Sequence, residues 1–236
     1  ATESEAGAAL STTSPCTEAE NKACTIPVSK AAEEALGASE SHFWGASTSG
    51  SKAIFTTGDD LYEFDVDGEA TTPIADGVLR VAEVSQDANR IYFVSRKALA
   101  AGATEGEPNL YFYDAGEDSG NTEFVAPGGG YRVRISPDGL HAAFVSGAPL
   151  TGYDSTGATA KASNCGGAEG RCQEVYHYDA EANALLCLSC NPSGARPACC
   201  GSESSCRRAS TSCSGRASAR RARPVSKPRS GRSRHT

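Results

Sequence analysis

The chain has 236 residues, 39% of them hydrophobic and 22% charged, with a formal net charge of −7 at neutral pH. This length and apolar content can bury a substantial core, and no apolar run is long enough to span a bilayer. The charge is divided: residues 198–236 carry ten Lys and Arg against a single acid, Glu203, for +9, while residues 1–197 carry 12 bases against 28 acids, for −16, a balance that argues against a nucleic-acid surface on the body.

The chain opens without an initiator Met, contains no Met at all, and shows no signal-peptide pattern. Residues 1–40 read as the end of a preceding repeat plus a linker. Cys16 and Cys24 frame a segment resembling a last strand, and Ser29–Gly37, with Ala-Ala-Glu-Glu-Ala-Leu inside it, fits a short helix or linker.

From residue 41 the sequence repeats itself. Ser47-Thr-Ser-Gly-Ser-Lys-Ala-Ile-Phe-Thr-Thr57 aligns with Ser85-Gln-Asp-Ala-Asn-Arg-Ile-Tyr-Phe-Val-Ser95 and with Ser136-Pro-Asp-Gly-Leu-His-Ala-Ala-Phe-Val-Ser146. A second phrase follows each copy: Leu61-Tyr-Glu-Phe-Asp65, Leu110-Tyr-Phe-Tyr-Asp114 and Val175-Tyr-His-Tyr-Asp179. Copies spaced about 40–50 residues apart, each holding paired short strands, predict four-stranded propeller blades. The expected fold is all-β: a partial β-propeller of about three four-stranded antiparallel blades, at 41–77, 78–127 and 128–192. Residues 193–236 follow as a disordered basic tail. In the third unit the strands fall near 130–135, 141–146, 174–179 and 184–189, with Ser136-Pro-Asp-Gly139 as a tight turn.

Side chains alternate across a strand. Tyr62 and Phe64, Tyr111 and Tyr113, and Tyr176 and Tyr178 therefore share one face of their blades, where an aromatic pair per blade fills the space between neighbours. Asp65, Asp114 and Asp179 read as turn residues whose carboxylates bond local amides, not as a catalytic triplet. The loop between second and third strands lengthens from unit to unit, reaching residues 147–173 in the third. Insertions on one face of a repeat protein often mark the binding face, so Leu150, Tyr153 and Asp154 are the candidate recognition residues.

The Ser-Pro-Asp-Gly turn, the Ala-Phe-Val-Ser strand and Val-Tyr-x-Tyr-Asp together resemble the TolB-like, WD-related β-propeller repeat over residues 41–192. The first two units depart from the turn, with Thr48-Ser-Gly and Gln86-Asp-Ala. The phrases Ala148-Pro-Leu-Thr-Gly-Tyr-Asp154 and Cys187-Leu-Ser-Cys-Asn-Pro-Ser-Gly-Ala-Arg-Pro197 resemble large secreted bacterial propeller proteins. The resemblance implies a scaffold and transfers no catalytic residue. Propellers close with about four to eight blades, so the remaining blades of a longer chain are expected as partners of these three.

Six cysteines lie in the body: Cys16, Cys24, Cys165, Cys172, Cys187 and Cys190. In an extracytoplasmic setting they read as disulfide candidates, with 16–24 and 165–172 as the near pairs. Cys187 and Cys190 can pair only if residues 188–189 turn, because in an extended strand they lie about 10 Å apart. A four-thiolate zinc site and free thiols are the alternatives, and the six-residue gap between Cys165 and Cys172 fits a zinc knuckle poorly. Asp65-Val-Asp-Gly-Glu69 lacks the ligand spacing of a calcium loop. No nucleophile elbow, zinc-protease helix or phosphate loop is present, so neither catalytic, cofactor nor metal residues are expected.

The function expected is that of a non-catalytic secreted or cell-surface scaffold binding a protein or glycan through its loops. The alternative is the regulatory propeller of a secreted serine peptidase whose catalytic domain lies elsewhere. The tail, rich in Arg, Ser, Ala and Gly, reads either as a basic arm or as the product of a shifted reading frame.

Overall fold

In a computed structural model of the chain, residues 26–37, 40–116, 120–157 and 171–197 are described. Twelve strands form three four-stranded antiparallel sheets. The first holds β1 (Ser41–Ala46), β2 (Lys52–Thr57), β3 (Asp60–Asp65) and β4 (Ala70–Ala75). The second holds β5 (Val78–Val84), β6 (Arg90–Ser95), β7 (Asn109–Asp114) and β8 (Asn121–Pro127). The third holds β9 (Tyr131–Ile135), β10 (His141–Ser146), β11 (Glu174–Asp179) and β12 (Ala184–Cys187). Within each sheet the strands sit in chain order. The first strands of neighbouring sheets touch, β1 with β5 and β5 with β9, so the sheets fan out as consecutive blades.

The blades pack face to face through the residues that alternation selects. Tyr111 and Tyr113 project from β7 toward the first blade, into a cluster with Ile54, Leu61, Val81, Ile91 and Phe93. Tyr176 and Tyr178 project from β11 toward the second blade and pack on Tyr92, Leu110, Phe112 and Phe144. Their rings meet edge to face, Tyr178 against Phe112 at 6.2 Å and against Tyr92 at 6.4 Å, a geometry the ring quadrupoles favour. Two of the tyrosine hydroxyls bond across this packing: Tyr92 donates to Gly139 O (3.0 Å) and Tyr178 to Glu123 Oε2 (2.9 Å).

The first aromatic pair, Tyr62 and Phe64, faces away from the second blade. A helix, α1 (Lys30–Leu36), covers it through Ala32, together with Ile26 and Val28. The helix ends on Gly37 in the left-handed region, a residue that adopts it without a Cβ penalty. The repeat pattern leaves this face bare; the structure closes it with the segment that precedes the repeat. Residues 1–25, with Cys16 and Cys24, lie outside the described residues, as do 198–236.

At the opposite end of the stack no described segment covers the outer face. Val175 on β11, Leu186 on β12 and Leu188 beyond it lie on the face of the third blade away from the second. They are 36%, 60% and 56% exposed. His141 and His177 stack on the same face, rings 5.4 Å apart.

The turn between first and second strands explains the repeated serine. Ser85 Oγ donates to Asp87 Oδ1 (2.6 Å) and accepts from Arg90 N (2.9 Å); Ser136 Oγ does the same with Asp138 (2.5 Å) and His141 N (3.0 Å). Neighbouring turns are stitched together, Thr48 N donating to Gln86 O and Gln86 N to Pro137 O. Gly139 has a φ of 76°, and a Cβ there would meet Arg90 Cβ at 2.8 Å, so glycine is needed for both backbone and space.

Two outcomes follow from this packing. Phe144→Ala, at a fully buried site between blades, should cost about 3–5 kcal/mol in denaturant unfolding. Leu186→Ala, on the open face, should stay within about 0.5 kcal/mol of wild type. Equal losses would mean that the face is covered. At high pH, burial raises the phenol pKa of both Tyr92 and Tyr178. Unfolded tyrosines ionise near about 10, so stability is full below that value and falls as pH rises above it, because the native phenols must stay protonated. Tyrosinate absorbance should rise together with loss of β-sheet circular dichroism; ionisation of all tyrosines without unfolding contradicts the burial.

Candidate functional site

Antiparallel alternation sends the β2–β3, β6–β7 and β10–β11 connections to one end of the blades, with the links between blades. Backbone bonds there join them: Val78 N to Asp59 O, Arg96 N to Gly77 O and Gly128 N to Pro108 O. The loops grow from Gly58–Asp59 through 96–108 to 147–173, of which 147–157 and 171–173 are described.

The longer loops are built on the aromatic pairs. Tyr111 OH donates to Lys97 O (2.5 Å) and accepts from Leu99 N (3.2 Å). Tyr176, the equivalent residue of the third blade, donates to Ala148 O (2.9 Å). The serine ending each second strand prepares the same bend: Ser95 Oγ accepts from Lys97 N and Ser146 Oγ from Ala148 N. In the second and third blades one tyrosine thus fills the core with its ring and pegs a loop with its hydroxyl. Only the packing role was legible in the alternation.

Asn109, fully buried, braces the second loop by donating to Thr104 O and Glu107 O. In the third, Cys172 N donates to Ser155 O (2.9 Å), and Thr156 bridges to Arg171, closing the base of the excursion. The three candidate recognition residues lie together here. Leu150 packs against the core between the second and third blades. Tyr153 OH donates to Ala195 O (2.8 Å). Asp154 accepts from Thr156 N and Oγ1 and pairs with Arg196 Nε at 2.6 Å. Those Thr156 bonds, and then Arg196, hold the Asp154 carboxyl below the usual range. Tyr153 and Asp154 therefore act as struts tying the loop to the segment after β12. Arg196 had no signal in sequence, because the partnership spans 42 positions and depends on the chain folding back.

Beside this loop lies the cysteine corner. Residues 188–190 turn, bringing the Cα atoms of Cys187 and Cys190 to 5.6 Å, and the two are disulfide-bonded. The condition set by the sequence is met at that turn. Cys172 is also disulfide-bonded; Cys165, its expected partner, lies outside the described residues. Cys190 N lies 3.1 Å from Cys187 Sγ. Glu174, only 6% exposed, accepts from Ser189 Oγ at 2.5 Å, and burial raises its pKa. A carboxylate oxygen of Glu174 and the two sulfurs lie within 4.8 Å of one another.

The repeated aspartates are turn residues. Asp65 accepts from Gly68 N, Asp114 from Gly116 N and Asp179 from Ala182 N, at the end opposite the long loops. Asp65 thereby serves the hairpin that the Asp65–Glu69 phrase forms. No helix among the described residues is long and apolar enough to cross a membrane.

Tyr176→Phe keeps the ring and removes the bond to Ala148 O. It should cost about 1 kcal/mol and speed proteolytic cleavage within 147–173, read by mass spectrometry of the nicked chain. Unchanged cleavage would mean the hydroxyl does not hold the loop.

No family model matches the chain, and no curated protein matches it. Among solved structures it is similar to TolB from Acinetobacter baumannii, at 15% identity over 63% of this chain and 32% of that one, with a TM-score of 0.38. It is similar to the β-propeller domain of the Trilobed protease from Pyrococcus furiosus, at 11% identity over 63% and 42%, TM-score 0.38. The oligogalacturonate lyase from Vibrio parahaemolyticus matches at 13% identity over 60% and 37%, TM-score 0.37. The chain thus spans about a third to two fifths of these proteins. The propeller-blade arrangement of this chain rests on its own three four-stranded antiparallel sheets and the contacts between their first strands.

Proposed function

We propose that the chain is a non-catalytic, extracytoplasmic β-propeller scaffold that binds a protein or glycan through the loops at the long-loop end of its blades. The observation that carries this reading is the graded pair of loops at 96–108 and 147–173. Each is pegged to the core by a tyrosine hydroxyl and braced by its own polar contacts. Anchoring of this kind preorganises the described roots of the two loops, which lowers the ordering cost of binding. The disulfide at Cys187–Cys190 and the bonded Cys172 support an oxidising compartment. The acidic body, −16 over residues 1–197, favours a basic or neutral partner over nucleic acid.

The test compares the full chain with a variant in which residues 149–170 are replaced by a short Gly-Ser linker. Both are applied to an immobilised glycan array and to a panel of purified basic cell-envelope proteins. Saturable binding by the full chain that the variant loses supports the reading. Equal binding by both, or binding to nothing in either panel, overturns it. Turnover of a generic ester or peptide substrate by the full chain, lost on changing a single Ser or Cys, overturns the non-catalytic assignment.

A further inference from the structure

At the corner of the third blade, Glu174 opens β11, Cys187 closes β12 and Cys190 follows after a two-residue turn. Glu174 precedes Tyr176 by two residues, and Tyr176 pairs with Cys187, so the carboxylate and Cys187 point to the same side of the sheet. The turn is held independently of the sulfurs. Leu188 N donates to Val175 O (2.8 Å), Val175 N to Ser189 Oγ (2.8 Å), and Ser189 Oγ to Glu174 Oε2 (2.5 Å). Glu174 is 6% exposed, and its carboxylate takes the Ser189 hydroxyl bond on this side of the sheet.

We propose that, once Cys187 and Cys190 are reduced, this corner is a binding site for a thiophilic divalent cation of the zinc class, with Cys187 Sγ, Cys190 Sγ and a Glu174 carboxylate oxygen as its protein ligands. The disulfide is the closed state of the same site. A tetrahedral zinc ion takes sulfur at about 2.3 Å and carboxylate oxygen at about 2.0–2.2 Å, which places its ligand atoms roughly 3.3–3.8 Å apart. The three atoms already lie within 4.8 Å of one another, and breaking the S–S bond lets the sulfurs separate. The Cys-x-x-Cys spacing is that of one zinc knuckle. The N–H of Cys190 directed at Cys187 Sγ stabilises a thiolate there. Three protein ligands leave the fourth position to water.

The interconversion balances. A dithiol reductant delivers two electrons and two protons to the S–S bond and leaves as its own disulfide, giving two thiols. One divalent cation then binds and displaces both thiol protons to solvent. The disulfide closes a loop of only four residues, so it restrains the unfolded chain little and exchange does not dismantle the blade. Metal occupancy of the corner is therefore set by redox state.

The experiment uses the full chain with its other eight cysteines changed to Ser, reduced with a phosphine and freed of metal, then titrated with Co2+ and Zn2+. Expected are one equivalent of Co2+ with thiolate charge-transfer and tetrahedral visible bands, displaced by Zn2+, and a rise in Tm with zinc. The peroxide- or diamide-oxidised protein should bind none. Glu174→Gln should weaken zinc at least about tenfold while keeping the thiolate bands, and Cys187→Ser should abolish them. If the serine background fails to fold, zinc-edge X-ray absorption on reduced wild type, compared with Cys187→Ser and Glu174→Gln, decides by the loss of one sulfur or one oxygen from a shell otherwise unchanged. Equal binding by oxidised and reduced protein, unchanged affinity in Glu174→Gln, or unchanged thiolate bands in Cys187→Ser would each overturn the assignment.

Discussion

The contact on which the rest of the structure depends is the burial of the third-strand aromatic pairs of the second and third blades against the blade before each. Tyr111 and Tyr113 seat against the first blade, and Tyr176 and Tyr178 against the second. Blade stacking has no ladder hydrogen bonds between sheets to set its register, so ring geometry and buried hydroxyls must do it. Tyr178 lies edge-on to Phe112 and Tyr92 while its hydroxyl reaches Glu123. A phenylalanine would bury similar area but lose the fixed polar end. The turns then lock the opposite rim, with Thr48, Gln86 and Pro137 linked in series.

The same aromatic positions connect core to surface. Because the first tyrosine of the pair lies near the long-loop end, its hydroxyl emerges where a backbone carbonyl needs a donor. Lys97 O and Ala148 O take it. The blade can then enlarge its loop without losing definition at the point of departure. The third loop adds a second attachment through Tyr153 and Asp154 to the segment at 195–196. Rigid roots and a long excursion are the combination a recognition loop needs, since the ordering entropy of the root is already spent in folding.

The two ends of the stack differ. The face of the first blade carries Phe55, Tyr62 and Phe64 and is closed by α1, Ile26 and Val28. The face of the third carries Val175, His177, Leu186 and Leu188 and stays exposed. Its side chains are smaller than the tyrosines of the inner faces. The corner formed by Glu174, Cys187 and Cys190 lies on the other side of this blade, the side of Tyr176, at the loop end.

The blade count, strand positions and shared face of the aromatic pairs were determined by the sequence alone, because they rest on period-two alternation and a repeat whose copies occupy equivalent environments. The aspartates after each pair were legible as turn residues for the same local reason: Asp65, Asp114 and Asp179 bond amides two or three positions onward. Leu150, Tyr153 and Asp154 were legible as a distinctive loop phrase, but not as struts. Arg196 lies 42 positions from Asp154, and nothing in either stretch encodes the meeting. The cover over the first blade, the turn that joins Cys187 to Cys190 and the carboxylate set against them were decided only by tertiary structure. Each depends on where non-neighbouring segments come to rest once the sheets twist and stack, and alternation along one strand carries no information about what packs across from it.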